Sequence, residues 1–194
     1  PRNFDQSFSG AVPASHALSQ SLNIPAVKML QKYSPEKLLG LFHNVGFTTF
    51  SKPADHYGLS LILGGGETSL WELAGVYASL SRVLNTYNKE KKYFRGDYHP
   101  PVVVSQNGTA PEKIEDTAPP LSAASIWLTS EALKKVNRPE GETGWQYFSS
   151  SPDLAWKTGT SFGFRDAWAV GTNPGYVIGV WAGNADGEGR PGLT

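Results

Sequence analysis

A mixed α/β fold, with helices packed against one antiparallel sheet, is predicted by three features of this 194-residue sequence. Apolar residues recur at helical spacing through much of residues 1–150. Residues 151–194 switch to short runs of period two separated by turn residues, the pattern of a β-meander. Helices first and hairpin-linked strands last belong to folds in which helices cover one side of a sheet. No internal repeat is visible.

Residues 1–13 read as loop, and residues 14–20 as a short helix. Pro25 suits the first turn of the next helix, where its missing N–H costs nothing, so Ser21-Leu22-Asn23-Ile24 should form a loop or cap before it. Ala26, Met29, Leu30 and Tyr33 would be that helix's buried face. Ser34-Pro35-Glu36 opens a further helix with Leu38, Phe42 and Val45 inward and Gly46 as its stop. Residues 48–57 are polar and read as loop. Ser69-Leu70-Trp71-Glu72 is a capping-box pattern. Behind it Leu73, Val76, Tyr77, Leu80 and Leu84 form an apolar stripe, and small Ala74, Gly75, Ala78 and Ser79 suggest close packing. Residues 85–118 carry few helix signals and one strand candidate, Val102-Val103-Val104. Residues 122–136 read as an amphipathic helix facing inward through Trp127, Leu128, Ala132, Leu133 and Val136. An irregular connection, residues 138–153, leads to three strands: one around Lys157, one over residues 166–171 and one over residues 176–181. The last two are joined by the turn Asn173-Pro174-Gly175.

Composition narrows the function. Lys plus Arg and Asp plus Glu balance at 17 each, which argues against a general affinity for nucleic acid or anionic membrane. There is no Cys, so disulfide and thiolate chemistry are excluded. No apolar run is long enough to span a bilayer. The sequence starts at Pro1 and ends in a Gly/Pro-rich run, so it is expected to be a piece of a longer protein.

Chemistry concentrates in Lys157-Thr158-Gly159-Thr160-Ser161. Period two puts Thr158 and Thr160 on one face of the strand and Lys157 on the other. Gly159 lets a ligand or another backbone approach closely. Hydroxyls and a cation along such a strand suit an anionic, extended substrate that docks as an added strand. The other candidate is Ser21-Leu22-Asn23, polar side chains on a loop held by a helix. Read alone, Ser21 or Asn23 could simply cap the Pro25 helix.

A Ser-x-Asn loop followed by Lys-Thr-Gly on a terminal meander is two-thirds of the signature of penicillin-binding proteins and serine β-lactamases, S-x-x-K, S-x-N and K-T-G. The likeness extends over the chain: Gly10-Ala11-Val12, Ala17-Leu18 and Ser21-Leu22-Asn23-Ile24-Pro25-Ala26-Val27, then Gly64-Gly65-Gly66-Glu67 with Leu73-Ala74-Gly75-Val76-Tyr77, then Lys157-Thr158-Gly159-Thr160-Ser161 with Arg165-Asp166-Ala167-Trp168. Together these resemble the transpeptidase domain of class A penicillin-binding proteins. No Ser-x-x-Lys precedes Ser21, so residues 1–194 would be one partial transpeptidase domain, without the nucleophile and with an incomplete fold.

The resemblance implies a serine D,D-transpeptidase that joins peptidoglycan stem peptides ending in D-Ala-D-Ala and binds β-lactams, with no cofactor and no metal. It implies a periplasmic location, an inner-membrane anchor and a glycosyltransferase domain upstream. Ser21 would pass a proton between base and leaving group, Asn23 would hold a substrate amide, and Lys157 would fix Ser21 and supply positive potential. Thr158 and Thr160 would hold the substrate carboxylate, beside Gly159 and Ser161 on the same strand, and the Thr160 N–H would be one oxyanion donor. A D,D-carboxypeptidase, a β-lactamase and a non-catalytic sensor of wall peptide or β-lactam remain as alternatives.

Other features read more plainly. Gly64-Gly65-Gly66-Glu67 lacks the Gly-Lys-Ser/Thr of a phosphate loop and reads as a turn. His16, His43, His56 and His99 lack metal-ligand spacing. Trp145, Tyr147, Trp168 and Trp181 either line a peptide groove or fill core, with core favoured for most of them.

Overall fold

Helices α1 (Ala14–Ser19), α2 (Asn23–Tyr33), α3 (Pro35–Val45) and α4 (Ala54–Tyr57) lead through a 3-10 segment, Gly58–Leu63, to the long α5 (Leu70–Glu90). A short 3-10 turn at Arg95–Asp97 and helix α6 (Ala123–Leu133) precede strands β1 (Ala155–Thr160), β2 (Asp166–Thr172) and β3 (Val177–Gly183). The strands form one antiparallel sheet of order β1-β2-β3. The computed structural model describes residues 3, 8, 10–103, 114–136 and 153–189. Trp145 and Tyr147, and the partial-domain boundaries that fall beyond these ranges, lie outside the described residues.

The helical core gathers Leu30, Leu38, Leu39, Val45, Phe47, Phe50, Tyr57 and Leu61 beneath Val76 of α5. Phe42, Phe47 and Phe50 meet pairwise at 4.9–5.3 Å between ring centroids, within the range that adds edge-to-face attraction to burial. Several faces differ from the sequence expectation. Helix α2 begins at Asn23, two residues before Pro25, and buries Val27 and Leu30, whereas Met29 and Tyr33 are exposed. The Val27–Leu30 spacing is itself helical, and the 3-10 segment and helices α1 and α3 that pack on α2 decide which stripe is covered. Residues 54–57, read as loop, form α4. Val102 and Val103 are exposed and not in a strand, and Val104 lies outside the described residues. Helix α6 buries Ala123, Ile126, Ala132 and Leu133 and leaves Trp127 and Leu128 exposed.

Helix α5 packs against the sheet, α6 and the 3-10 turn at Arg95–Asp97. It runs to Glu90, well past the expected end, closing on Lys91 in the left-handed region. Gly75 permits contact with the chain below: a Cβ there would meet Pro101 Cδ at 2.5 Å. Arg82 holds that chain in place, donating to Asp97 O (2.9 Å), His99 O (2.8 Å) and Ser79 Oγ (2.8 Å). On its other side α5 meets the sheet. A Cβ at Gly179 would meet Leu70 Cδ1 at 2.9 Å, and the Ser81 and Thr172 hydroxyls share a 2.7 Å hydrogen bond.

Only half of the capping box at Ser69 forms. Ser69 Oγ accepts from the Glu72 N–H at 3.1 Å, but the Glu72 carboxylate does not reach back. It accepts instead from the Thr48 N–H and hydroxyl (2.7 Å each), the Thr49 hydroxyl and the Thr68 hydroxyl (2.8 Å). Burial alone would raise its pKa, but these four donors hold it at about 2. Because the folded value lies below that of an ordinary glutamate, the carboxylate adds stability above the ordinary value and loses it as pH falls toward about 2. Glu72→Gln should therefore remove about 1 kcal/mol at neutral pH, solvent screening allowed for, and flatten acid denaturation over that window. Urea melts at a series of pH values read both effects; parallel pH dependence in wild type and variant would contradict the assignment.

Candidate active site

Ser21 lies where the α1–α2 junction turns left-handed. Its φ is 54°, uncommon for a residue with a Cβ. The Ser21 N–H donates to Leu18 O (3.1 Å) and the Leu22 N–H to Ala17 O (2.9 Å), the paired bonds that close a helix through a left-handed residue. Glycine is the usual occupant of that position. A serine there gives up backbone ease and gains a hydroxyl.

That hydroxyl accepts a hydrogen bond from Lys157 Nζ of β1, across 136 residues of sequence. Helix α6 explains the meeting, since it packs against both α1 and β1 and so brings the junction beside the strand. Lys157 also donates to Thr158 O at 2.7 Å. Its side chain rises from the face of the sheet that carries buried Val170, its cross-strand partner, and burial there lowers its pKa.

The capping role open to Ser21 and Asn23 is filled elsewhere. The N-cap residue of α2 is Leu22, with no side-chain cap. One of the free N–H groups, that of Ile24, donates to Asn3 Oδ1 at 3.3 Å. Asn3 is buried, and it ties the start of the chain to the Ser21–Asn23 junction. Nothing local in the sequence announces this contact. Asn23 is the first residue of α2 and half-buried.

Strand β1 pairs with β2 alone among the described residues, so its other margin is open. The Ser161 N–H donates to Asp166 O at 2.9 Å. Alternation along an antiparallel strand then turns the N–H and C=O groups of Gly159 and Lys157 toward β2, and those of Thr158 and Thr160 toward the open margin. The Thr158 and Thr160 side chains are exposed and rise from the face opposite Lys157, so hydroxyl and ammonium can serve one ligand only at the strand's edge. A Cβ at Gly159 would meet nothing nearer than Trp168 Cβ at 4.0 Å, so space lies over that residue. Ser161 is held at the turn, its Oγ accepting from the Asp166 N–H at 2.8 Å.

The structure thus brings Ser21 and Lys157 into contact and lays Thr158, Gly159, Thr160 and Ser161 along the adjoining edge. Of the four aromatics read as either groove or core, Trp168 and Trp181 line an open groove. The only Ser-x-x-Lys in the sequence, Ser34-Pro35-Glu36-Lys37, is used structurally, Ser34 Oγ accepting from the Lys37 N–H as the cap of α3. No group of three or more His, Cys, Asp or Glu side chains among the described residues could hold a metal ion.

No family model matches the chain. Penicillin-binding protein 1C of Escherichia coli (strain K12) is 34% identical over 187 residues, which cover 96% of this chain and 22% of that protein. Penicillin-binding protein 1B of Vibrio cholerae serotype O1 is 28% identical over 190 residues, covering 97% and 23%. The chain thus spans about a fifth of the length of these curated relatives. The crystal structure of penicillin-binding protein 1A from Haemophilus influenzae matches with a TM-score of 0.68 at 20% identity, covering 96% of this chain and 32% of that one. The D,D-transpeptidase domain of a peptidoglycan glycosyltransferase from Eggerthella lenta matches with a TM-score of 0.57 at 16% identity, covering 92% and 50%.

Proposed function

Because the chain is a homologue of the penicillin-binding proteins and has the penicillin-binding-protein transpeptidase fold, we propose that it is the peptide-recognition part of a serine D,D-transpeptidase. The observation that carries this reading is the hydrogen bond from Lys157 to Ser21, which joins the two motif segments in one site. The reaction is acyl transfer: a serine of a Ser-x-x-Lys outside these 194 residues attacks the carbonyl between two D-alanines, releases D-alanine, and passes the acyl group to an amine of a second stem peptide. Penicillin follows the first half of that path and stays bound as an ester. No cofactor takes part.

In this scheme the open margin of β1 receives the peptide as an added strand, with the Thr158 and Thr160 backbone groups as its partners. The Thr160 N–H is one oxyanion donor, a contribution typically of about 100- to 1000-fold in rate. Lys157 holds the Ser21 hydroxyl, which relays a proton to the departing nitrogen. Asn23 contacts a substrate amide, and the Thr158 and Thr160 hydroxyls meet the terminal carboxylate beside Gly159 and Ser161. The proposed setting is the periplasmic face of the bacterial inner membrane. No helix among the described residues is long and apolar enough to cross a membrane.

Intact-mass measurement with penicillin tests the scheme. The 194-residue chain should form no covalent adduct, and the protein extended upstream through its Ser-x-x-Lys should form one per molecule. A stoichiometric adduct on the short chain would refute it. So would steady penicillin turnover by the longer protein, the behaviour of a hydrolytic relative. Trapping without crosslinking of stem peptides would instead mark a sensor.

A further inference from the structure

We propose that the groove lined by Asp166, Trp168 and Trp181 binds a primary alkylammonium group, that of the amine-bearing peptide that accepts the acyl chain. The acceptor's identity rests on the transferase reading above; the ammonium site itself does not.

The groove holds about 380 Å³, is open to solvent, and is lined by Thr68, Leu70, Asp166, Trp168 and Trp181. Register places it. Trp168 lies opposite Gly159 and Trp181 opposite Trp168, so both indoles rise from the sheet face that carries Lys157, beginning one cross-strand pair further along. Gly159 leaves the way between them unobstructed.

Its polar groups are acceptors. Asp166 is fixed by its backbone, its C=O accepting from the Ser161 N–H and its N–H donating to Ser161 Oγ, and its Oδ1 accepts from Trp181 Nε1 at 2.8 Å. That bond occupies the Trp181 indole N–H and orients the carboxylate. Among the described residues Oδ2 has no donor, and Asp166 forms no ion pair. The Thr68 hydroxyl gives its proton to Glu72 Oε2 at 2.8 Å and so offers only lone pairs. No cationic side chain lines the groove. An anion would meet a carboxylate, with the Trp168 indole N–H as the one side-chain donor of the lining not already engaged. An ammonium finds a carboxylate oxygen, a hydroxyl oxygen and two electron-rich ring systems of the kind that attract cations. The route over Gly159 suits an incoming amine, because it leads from the groove on β2 and β3 to β1, at whose open margin the Thr160 N–H and the carbon to be attacked would lie.

The test is a titration of the chain with Nα-acetyl-lysine amide, read by the tryptophan indole N–H resonances. Nα-acetyl-norleucine amide, which lacks the amine, is the control ligand. The lysine compound should move the Trp181 resonance saturably and bind at least about tenfold more tightly than the norleucine compound. Asp166→Asn keeps an acceptor for Trp181 and should weaken lysine binding by about tenfold with an unchanged melting temperature. Trp168→Leu should weaken it too. Equal response to the two ligands, no response to either, or undiminished affinity in folded Asp166→Asn would overturn the proposal. No acylation enters the measurement, so its failure leaves penicillin trapping untouched, and failed trapping leaves the ammonium site standing.

Discussion

Lys157→Ala, in the protein that carries its Ser-x-x-Lys, is expected to slow acylation by penicillin by about 100- to 1000-fold while leaving the fold intact. The amine is the only side-chain partner of the Ser21 hydroxyl among the described residues. Without it the hydroxyl rotates freely, and the cleft loses its one fixed positive charge among the described site residues. The cost to stability should be small, because Lys157 is only half-buried and alanine suits a strand position beside buried Ala155 and Val170. Burial lowers the pKa of Lys157, so its proton is held less tightly than on a free lysine. The alkaline limb of the acylation–pH profile should therefore fall below the usual lysine range in wild type and vanish in the variant. Stopped-flow acylation with a chromogenic β-lactam reads both. An unchanged rate and profile in a folded Lys157→Ala protein would end the role assigned to the residue.

Gly159→Val should separate folding from binding. The residue sits inside a β-strand, where valine is a favoured occupant, and the nearest atom to a new Cβ is 4.0 Å away. Thermal melting should consequently be unchanged or slightly raised. The same branched side chain would stand over the open strand beside Lys157, where the proposed peptide would lie. Acylation should drop by about 100-fold or more, through weaker capture rather than slower chemistry, so the loss appears mainly in KM. Wild-type acylation in this variant would show that no ligand passes over Gly159.

The three strands and the turn at residues 173–175 were legible because short period-two runs have one reading once turn residues bound them. The start of α5 was legible for a similar reason, since capping is written within four residues. Its end was not: Tyr87 and Asn85 are held from outside, Asn85 by Pro174 O and Tyr87 by stacking on Tyr93. Helix faces failed where two stripes were equally apolar. Met29 and Tyr33 on α2, and Trp127 and Leu128 on α6, alternate with the residues that are buried, and the choice belongs to whatever packs alongside. For the site, Ser21 and Lys157 could be named from motif and family likeness, and their contact is a product of α6 bridging α1 and β1. Asn3 escaped because a hydrogen bond spanning 21 residues leaves no periodic trace.

Under the proposed function, the left-handed serine at the α1–α2 junction sets durability against catalysis. Glycine in its place would relax a conformation that costs a residue with a Cβ about 1 kcal/mol, yet it would delete the hydroxyl that Lys157 holds. Laboratory selection for heat resistance alone should drift toward glycine here, and selection for wall synthesis should hold the serine against that pull.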